Sequence, residues 1–375
     1  MAKIVIIGGG FAGLAAAQKL ARCGGGLAIT LIDKKETSDF LPALPDIIGR
    51  GIHPSFLQYA IAKVSVRHHF RFENAEVNSL DVEKKEVATS KGIYSYDYAI
   101  IASGSETNFY GNALIEYFAH KLDDAQDAQA IAEKVKHKEY DTYIVGGGGY
   151  TGIEVATNLH VLLKQLKKDA QVLIVERAPS ILGPLPEWMK AYVRKNLAEL
   201  GIEITLNSTI ESITGDRVAL SGERIFKNAM VIWVAGVKTP AFIQNLKCEK
   251  NPQGRLKVDE YLRINESCFA AGDAAYVAYS GNYLRMAVQF AITQGECAAE
   301  NSIRTIRTKP LKAYRPFDFG YIIPMANNRS CGNILKQDMR GGVPTFLHFF
   351  MCVARSIGMR NRCGIIKDLV MAPRL

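Results

Sequence analysis

Paired cysteines are the first thing this sequence lacks. Its seven, Cys23, Cys248, Cys268, Cys297, Cys331, Cys352 and Cys363, are odd in number and nowhere show a CxxC spacing. Neither a secreted disulfide framework nor a zinc site is written into them, and no metal centre is expected. Also missing is a basic start followed by an apolar stretch and a small-residue cleavage site, because MAKIVIIGGG enters a strand pattern at once. These absences fit a reducing, cytoplasmic setting. No apolar run attains the roughly 20 residues of a membrane-spanning helix. The best candidate, from Val343 to Met359, is broken by His348 and Arg355. Low-complexity tracts are absent too. What remains is a chain of 375 residues, 48% hydrophobic and 22% charged, long enough for a large core and two or three domains. Its net charge of +9 attracts anionic lipid, nucleic acid or an acidic partner without choosing among them. Nothing but charge speaks for nucleic acid, so none is expected as a partner.

Glycine, by contrast, is concentrated where it carries chemistry. A β-branched run from Lys3 to Ile7 leads into GGGFAG and then LAAAQKLA, which reads as strand, glycine turn and helix. Gly8 suits the tight turn, Gly10 the approach of backbone to a pyrophosphate, and Gly13 the close packing of helix on strand, with Phe11 and Ala12 between them. A second strand, LAITLID, ends in Asp33, 20 residues beyond Gly13 and followed by Lys34. That is the separation at which an acid accepts from a ribose hydroxyl. The pattern then returns. After the run from Thr142 to Gly146, the glycine positions are Gly147, Gly149 and Gly152, with Tyr150 and Thr151 between, and AQVLIVER ends in Glu176, 24 residues beyond Gly152. An acid at that point favours the free ribose of NADH and repels the extra phosphate of NADPH, a repulsion that Arg177 partly offsets.

The chain resembles the two-dinucleotide flavoprotein superfamily of pyridine-nucleotide oxidoreductases, whose motifs recur in order along nearly its whole length. Besides the glycine turns there are YDYAIIASG from Tyr96 to Gly104, VIWVAGV from Val231 to Val237 and CFAAGDAA from Cys268 to Ala275. The resemblance implies FAD at the first turn and NADH at the second, with NADPH less favoured. It implies that Ala102, Ser103 and Gly104 link the nucleotide domains near FAD, and that Asp273, after Gly272, bonds the ribityl chain. Val77 resembles the position whose backbone meets the adenine, and Ala235, Gly236 and Val237 the stretch beside the nicotinamide.

The branch is argued from what is missing. Disulfide reductases carry a CxxxxC pair near the first helix, and no cysteine occurs between Cys23 and Cys248. Sulfide:quinone oxidoreductases need a cysteine in that same interval. The remaining large branch is the type II NADH dehydrogenase, an NADH:quinone oxidoreductase held on the membrane surface. YTGIE, from Tyr150 to Glu154, resembles its second turn, and the resemblance puts Glu154 close to nicotinamide and flavin, where a carboxylate can orient the donor or relay a proton. The quinone-site pattern AQxAxQ is met only in part by VQFAITQG: Gln289 and Ala291 fit, Thr293 replaces the second Gln, and Gln294 follows. Gln289, Thr293 and Gln294 are the acceptor-side candidates.

The expected fold is α/β, with two Rossmann-like dinucleotide-binding domains, the second inserted into the first, and a small C-terminal α+β segment. The FAD domain is expected at 1–111 and 241–313, the NAD(H) domain at 112–240 and the C-terminal segment at 314–375. In that segment Phe346, Phe349, Phe350, Val353 and Ile357 recur at helical spacing on one face, with Arg355 roughly opposite and Arg360, Arg362, Lys367 and Arg374 following. Such a face can lie on an anionic membrane surface, peripherally on the inner side of the cytoplasmic membrane. Alternatively, it packs into the core or a homodimer contact. Two rival functions share the fingerprints: a soluble NAD(P)H-flavin reductase with a protein or other acceptor, and a redox sensor of the apoptosis-inducing-factor type.

Overall fold

The computed structural model describes residues 1–24 and 26–371. They form two compact units, Met1–Ser38 with Tyr59–Glu106 and Val237–Asp318, and Asp39–Gln58 with Thr107–Gly236 and Phe319–Leu375.

The first unit is built on a five-stranded parallel sheet ordered Cys268–Ala270, Tyr98–Ile101, Ala2–Ile7, Leu27–Asp33, Arg71–Asn74. In its central strand Ile4, Val5, Ile6 and Ile7 are all buried. Such an unbroken apolar run belongs to a parallel strand covered on both faces, where alternation would leave polar groups in the core. The helices Phe11–Arg22 and Val288–Ile306 pack tightly, since a Cβ at Gly295 would overlap the Ala12 carbonyl.

The second unit repeats the plan. Its parallel sheet is ordered Glu203–Thr205, Gln171–Val175, Thr142–Gly146, Ala229–Trp233, and the helix Tyr150–Leu166 leaves the end of the Thr142–Gly146 strand. Ile144, Leu173, Val175 and Val231 form its core with Ile213 and Val218 from an antiparallel meander. The chain continues into an antiparallel sheet of Gly320–Ile323, Ser330–Ile334 and Gln337–Gly341, then the helices Gly342–Arg355 and Met359–Met371.

The compact units are bounded differently from the expected domains. Residues 39–58, assigned to the first domain, cluster with the second unit, because the short helix Leu44–Gly49 lies so close to Tyr150–Leu166 that a Cβ at Gly49 would overlap the Asn158 backbone. The C-terminal segment is no separate body: from Phe319 it joins the second unit, where the Ala326 N–H donates to Thr157 Oγ1 (3.2 Å) and Asn327 Nδ2 to Asn196 Oδ1 (2.8 Å). The other limits move from 111 to 106, from 240 to 236 and from 313 to 318.

The aromatic stripe also changes. The helix stops at Arg355, so Ile357 falls outside it, and Phe349 turns its ring under the Arg50 guanidinium, 4.8 Å away. Phe346 and Phe350 remain 69% and 57% exposed and stack on each other. Arg362 donates to the carbonyls of Ser356 and Ala354, and Arg360 lies over Phe56. Lys367 is exposed, and Arg374 lies outside the described residues. Among these, no helix is long and apolar enough to cross a membrane.

Candidate active site

Each glycine turn is held in place by the acid that follows it. In the first unit, Asp33 Oδ2 accepts from the Gly9 N–H at 2.5 Å and Oδ1 from that of Lys35 at 2.7 Å. In the second, Glu176 Oε2 accepts from Gly148 at 2.7 Å and Oε1 from Ala178 at 2.8 Å. Carboxylates are strong acceptors of backbone N–H bonds, and each oxygen keeps a further lone pair for a ribose hydroxyl. Within the turns, Gly8 and Gly147 take φ of +106° and +115°, values closed to residues with a Cβ. A Cβ at Gly13 would overlap the Gly8 carbonyl oxygen, and one at Gly152 that of Gly147, whereas one at Gly10 or Gly149 would project into open space. The middle glycine therefore faces room for a ligand, and the outer two serve packing.

The helix starts support this. Phe11–Arg22 and Tyr150–Leu166 begin at Gly10 and Gly149 with no side-chain cap, while the helix Ala125–His137 is capped by Asp124 accepting from Gln126 and Asp127. A helix start without a side-chain cap suits an anion such as a pyrophosphate.

Beside each turn lies a cavity. In the first unit one of about 90 Å³ is lined by Gly8, Asp33, Lys34, Val77 and Ser103. Ser103 Oγ is buried there with no hydrogen-bond partner among the described residues, an orphaned polar atom of the kind a polar ligand satisfies. Ala102 is buried, and its carbonyl lies against Gly8; Gly104 has φ of +69°. In the second unit a cavity of about 350 Å³ is lined by Gly147, Glu176, Arg177, Ala235, Gly236 and Tyr110, among others. Of the remaining residues singled out, Tyr150 stands edge-on to Tyr321, Thr151 is exposed, and Val237 begins a two-residue strand. A further cavity, of about 470 Å³ beside Trp188 and Arg340, touches none of the motifs.

Asp273, after Gly272, accepts from Ser105 Oγ at 2.9 Å, and Arg255 Nε donates to its carbonyl at 3.1 Å. Burial pushes its carboxyl up, against the Ser105 hydrogen bond and the Arg255 charge. Ser105 and Arg255 carry no motif signal and went unnoticed in the sequence. The three acceptor-side candidates part company. Gln294 Oε1 accepts from the Gly272 N–H at 2.8 Å and is buried, which ties it to the AGD turn. Gln289 Nε2 donates to Asp318 at 3.0 Å, and Thr293 shares a 2.8 Å hydrogen bond with the Tyr314 hydroxyl.

Glu154 projects from the first turns of Tyr150–Leu166. Part of its surface stays open, but it lies deep among protein atoms. Loss of water around the charge, with repulsion from Asp46, holds its carboxyl well above the ordinary range. Asp46 is itself buried and pushed up to about 6, with Arg50 Nε 3.0 Å away opposing the shift. Asp46 was not legible as a site residue, since only the approach of its helix brings it to Glu154. Cys352 lies in the same region, 3.5 Å from His348 Nε2. Burial and the charges of Asp46 and Glu154 push its thiol well up, so it is no thiolate nucleophile.

Two acid-anchored glycine turns, two helix starts without a side-chain cap and a carboxyl deep among protein atoms near the second are the features of an oxidoreductase with two dinucleotide-binding units. The chain belongs to the pyridine nucleotide-disulphide oxidoreductase family, whose sequence pattern matches residues 2–295. It is 24% identical to the type II NADH:quinone oxidoreductase of Staphylococcus aureus strain MSSA476, over 92% of each chain. Its fold is shared with NDH2 from Plasmodium falciparum solved in complex with NADH, at a TM-score of 0.85 and 15% identity over 100% of this chain and 99% of that one. It is shared also with the sulfide:quinone oxidoreductase of Aquifex aeolicus, at a TM-score of 0.79 and 18% identity over 97% and 92%.

Proposed function

We propose that this protein is an NADH:quinone oxidoreductase that binds FAD in its first unit and NADH in its second. The observation that carries the reading is the repeated anchoring of Gly9 by Asp33 and Gly148 by Glu176, each beside an uncapped helix start. The redox chemistry is that of bound FAD, a two-electron carrier between dihydronicotinamide and quinone.

The chain's own residues bind, orient and supply a proton. Asp33 and Glu176 accept from ribose hydroxyls, and the N–H groups after Gly10 and Gly149 face the pyrophosphates. Asp273 and Ser105 hold the polyol chain. Converting NADH, a proton and a quinone to NAD⁺ and a quinol requires one proton beyond the hydride. Glu154, whose hold on a proton is strengthened by burial and by Asp46, is the group that carries that proton, at its carboxyl oxygen. Gln289, with Thr293 and Gln294 on the same helix, is the acceptor-side candidate, its amide carrying two N–H donors, one of them given to Asp318. No cysteine among the described residues is in a disulfide, and Cys352 stays a thiol, which favours a quinone over a disulfide acceptor. The exposed rings of Phe346 and Phe350 rest on an anionic membrane surface, keeping the enzyme close to its lipid-soluble acceptor.

Steady-state assays with NADH and three acceptors test this. A short-chain quinone is expected to turn over at least tenfold faster than oxygen or a small iron–sulfur protein. Preference for the iron–sulfur protein would assign the chain to soluble reductases, and slow turnover with all three to redox sensors.

A further inference from the structure

Tyr110 stands in neither glycine fold, yet it lines the cavity beside the second turn. Its ring is 61% exposed, which for a large aromatic beside a cavity is surface waiting to be covered. Its backbone is in the left-handed region, φ 52°, a conformation that costs energy in any residue with a Cβ and recurs in ligand clamps. The neighbourhood holds it there. The Tyr110 N–H donates to Asn108 Oδ1 at 2.9 Å, Trp233 Nε1 donates to the Asn108 carbonyl at 2.9 Å, and the Asn108 N–H donates to the Gly236 carbonyl at 3.2 Å. A Cβ at Gly236, itself at φ +87°, would overlap the Tyr110 hydroxyl, so the ring's place requires glycine at that position. The Arg177 guanidinium lies 6.0 Å from the ring centre, at the end of the cavity marked by Glu176, where the adenosine ribose belongs, so the ring joins that end to Gly236, which the resemblance sets beside the nicotinamide.

The first unit has a counterpart. Its cavity beside Asp33 is lined by Phe242 and Pro240, so each cavity beside a glycine turn carries an aromatic side chain from outside the strand, turn and helix of the motif.

We infer that Tyr110 is the aromatic platform on which the adenine ring of NADH stacks, a specificity residue of the dinucleotide cavity that acts on affinity and not on the chemical step. This rests on the reading of the second unit as the NADH site. Adenine presents a flat π-face, and stacking on an aromatic ring is sequence-independent and strong enough to matter when the ring is removed.

The test uses the holoenzyme and Tyr110→Ala, with ADP-ribose, which keeps the adenosine and lacks the nicotinamide, as the calorimetric probe. Tyr110→Ala is expected to weaken ADP-ribose binding about tenfold, ~1.4 kcal/mol at 25 °C, and to raise KM for NADH by the same factor with the maximal rate within about twofold. Tyr110→Phe, which keeps the ring, is expected to restore both. Equal ADP-ribose affinity in Tyr110→Ala and the parent overturns the inference while leaving the NADH reading intact, provided NADH bleaches the parent's flavin. A fall in the maximal rate without change in ADP-ribose affinity overturns it too. A parent that NADH does not bleach overturns the NADH reading and the inference with it.

Discussion

Removing the Glu176 carboxylate is the perturbation whose consequence follows most directly from the geometry. Both its oxygens accept from backbone N–H groups, Gly148 at 2.7 Å and Ala178 at 2.8 Å, so the side chain is held in place, and on the proposed reading its remaining lone pairs meet a ribose. A hydrogen bond to a charged acceptor contributes about 1.5–3 kcal/mol, and each 1.36 kcal/mol is tenfold. Glu176→Ala is therefore expected to raise KM for NADH by about 10- to 150-fold, with the maximal rate at saturating acceptor little changed. NADPH gains on the same substitution, because a repelling carboxylate is lost while Arg177 remains to meet the 2′-phosphate. The ratio of kcat/KM for NADH over NADPH should fall at least about tenfold. Steady-state kinetics with both donors reads the effect. A KM for NADH within twofold of the parent would refute the reasoning.

Glu154 is protonated below a pKa that burial and Asp46 have raised, so its proton is lost as pH rises through that elevated value. The quinone-linked maximal rate should decline on that basic side, Glu154→Gln should abolish the decline, and Asp46→Asn, by removing a repelling charge, should move it to lower pH; the pH profile of kcat is the readout. Gly13→Ala forces a Cβ into the Gly8 carbonyl, a packing conflict of about 1–3 kcal/mol. The purified variant should lack the flavin absorbance in the visible blue that the proposed FAD site predicts for the parent. Substituting Phe346 and Phe350 together by Ser should reduce co-flotation with anionic liposomes at least about tenfold, since each buried ring contributes roughly 1.5–3 kcal/mol, and leave quinone turnover in detergent intact.

The two dinucleotide folds were readable because their demands are local. A strand, a turn that excludes Cβ atoms at fixed points and an acid some 20 residues later leave marks at fixed spacing. Long-range packing leaves none. Nothing near Asp46 announces that Gly49 will meet the Asn158 backbone and carry residues 39–58 into the second unit, and nothing near Asn327 announces its pairing with Asn196. Gln294 neighbours Thr293 in sequence, but one residue is about 100° of helix, and its amide oxygen meets the Gly272 N–H, a contact no spacing announces. Periodicity carried the aromatic stripe one residue set too far, to Ile357, because Ser356 ends the helix in extended backbone. Tyr110 was invisible for a different reason: a left-handed φ in a non-glycine residue is imposed by its surroundings and has no sequence signature.

The central claim is that electrons enter from NADH and leave to a quinone. Under anaerobic conditions the purified protein is reduced with one equivalent of NADH, mixed with a short-chain quinone, and followed by its flavin absorbance. The account predicts bleaching by NADH and reoxidation in less than about a second, a typical enzymatic turnover. Reoxidation over minutes would contradict the quinone assignment, and failure of NADH to bleach the absorbance would contradict the donor assignment itself.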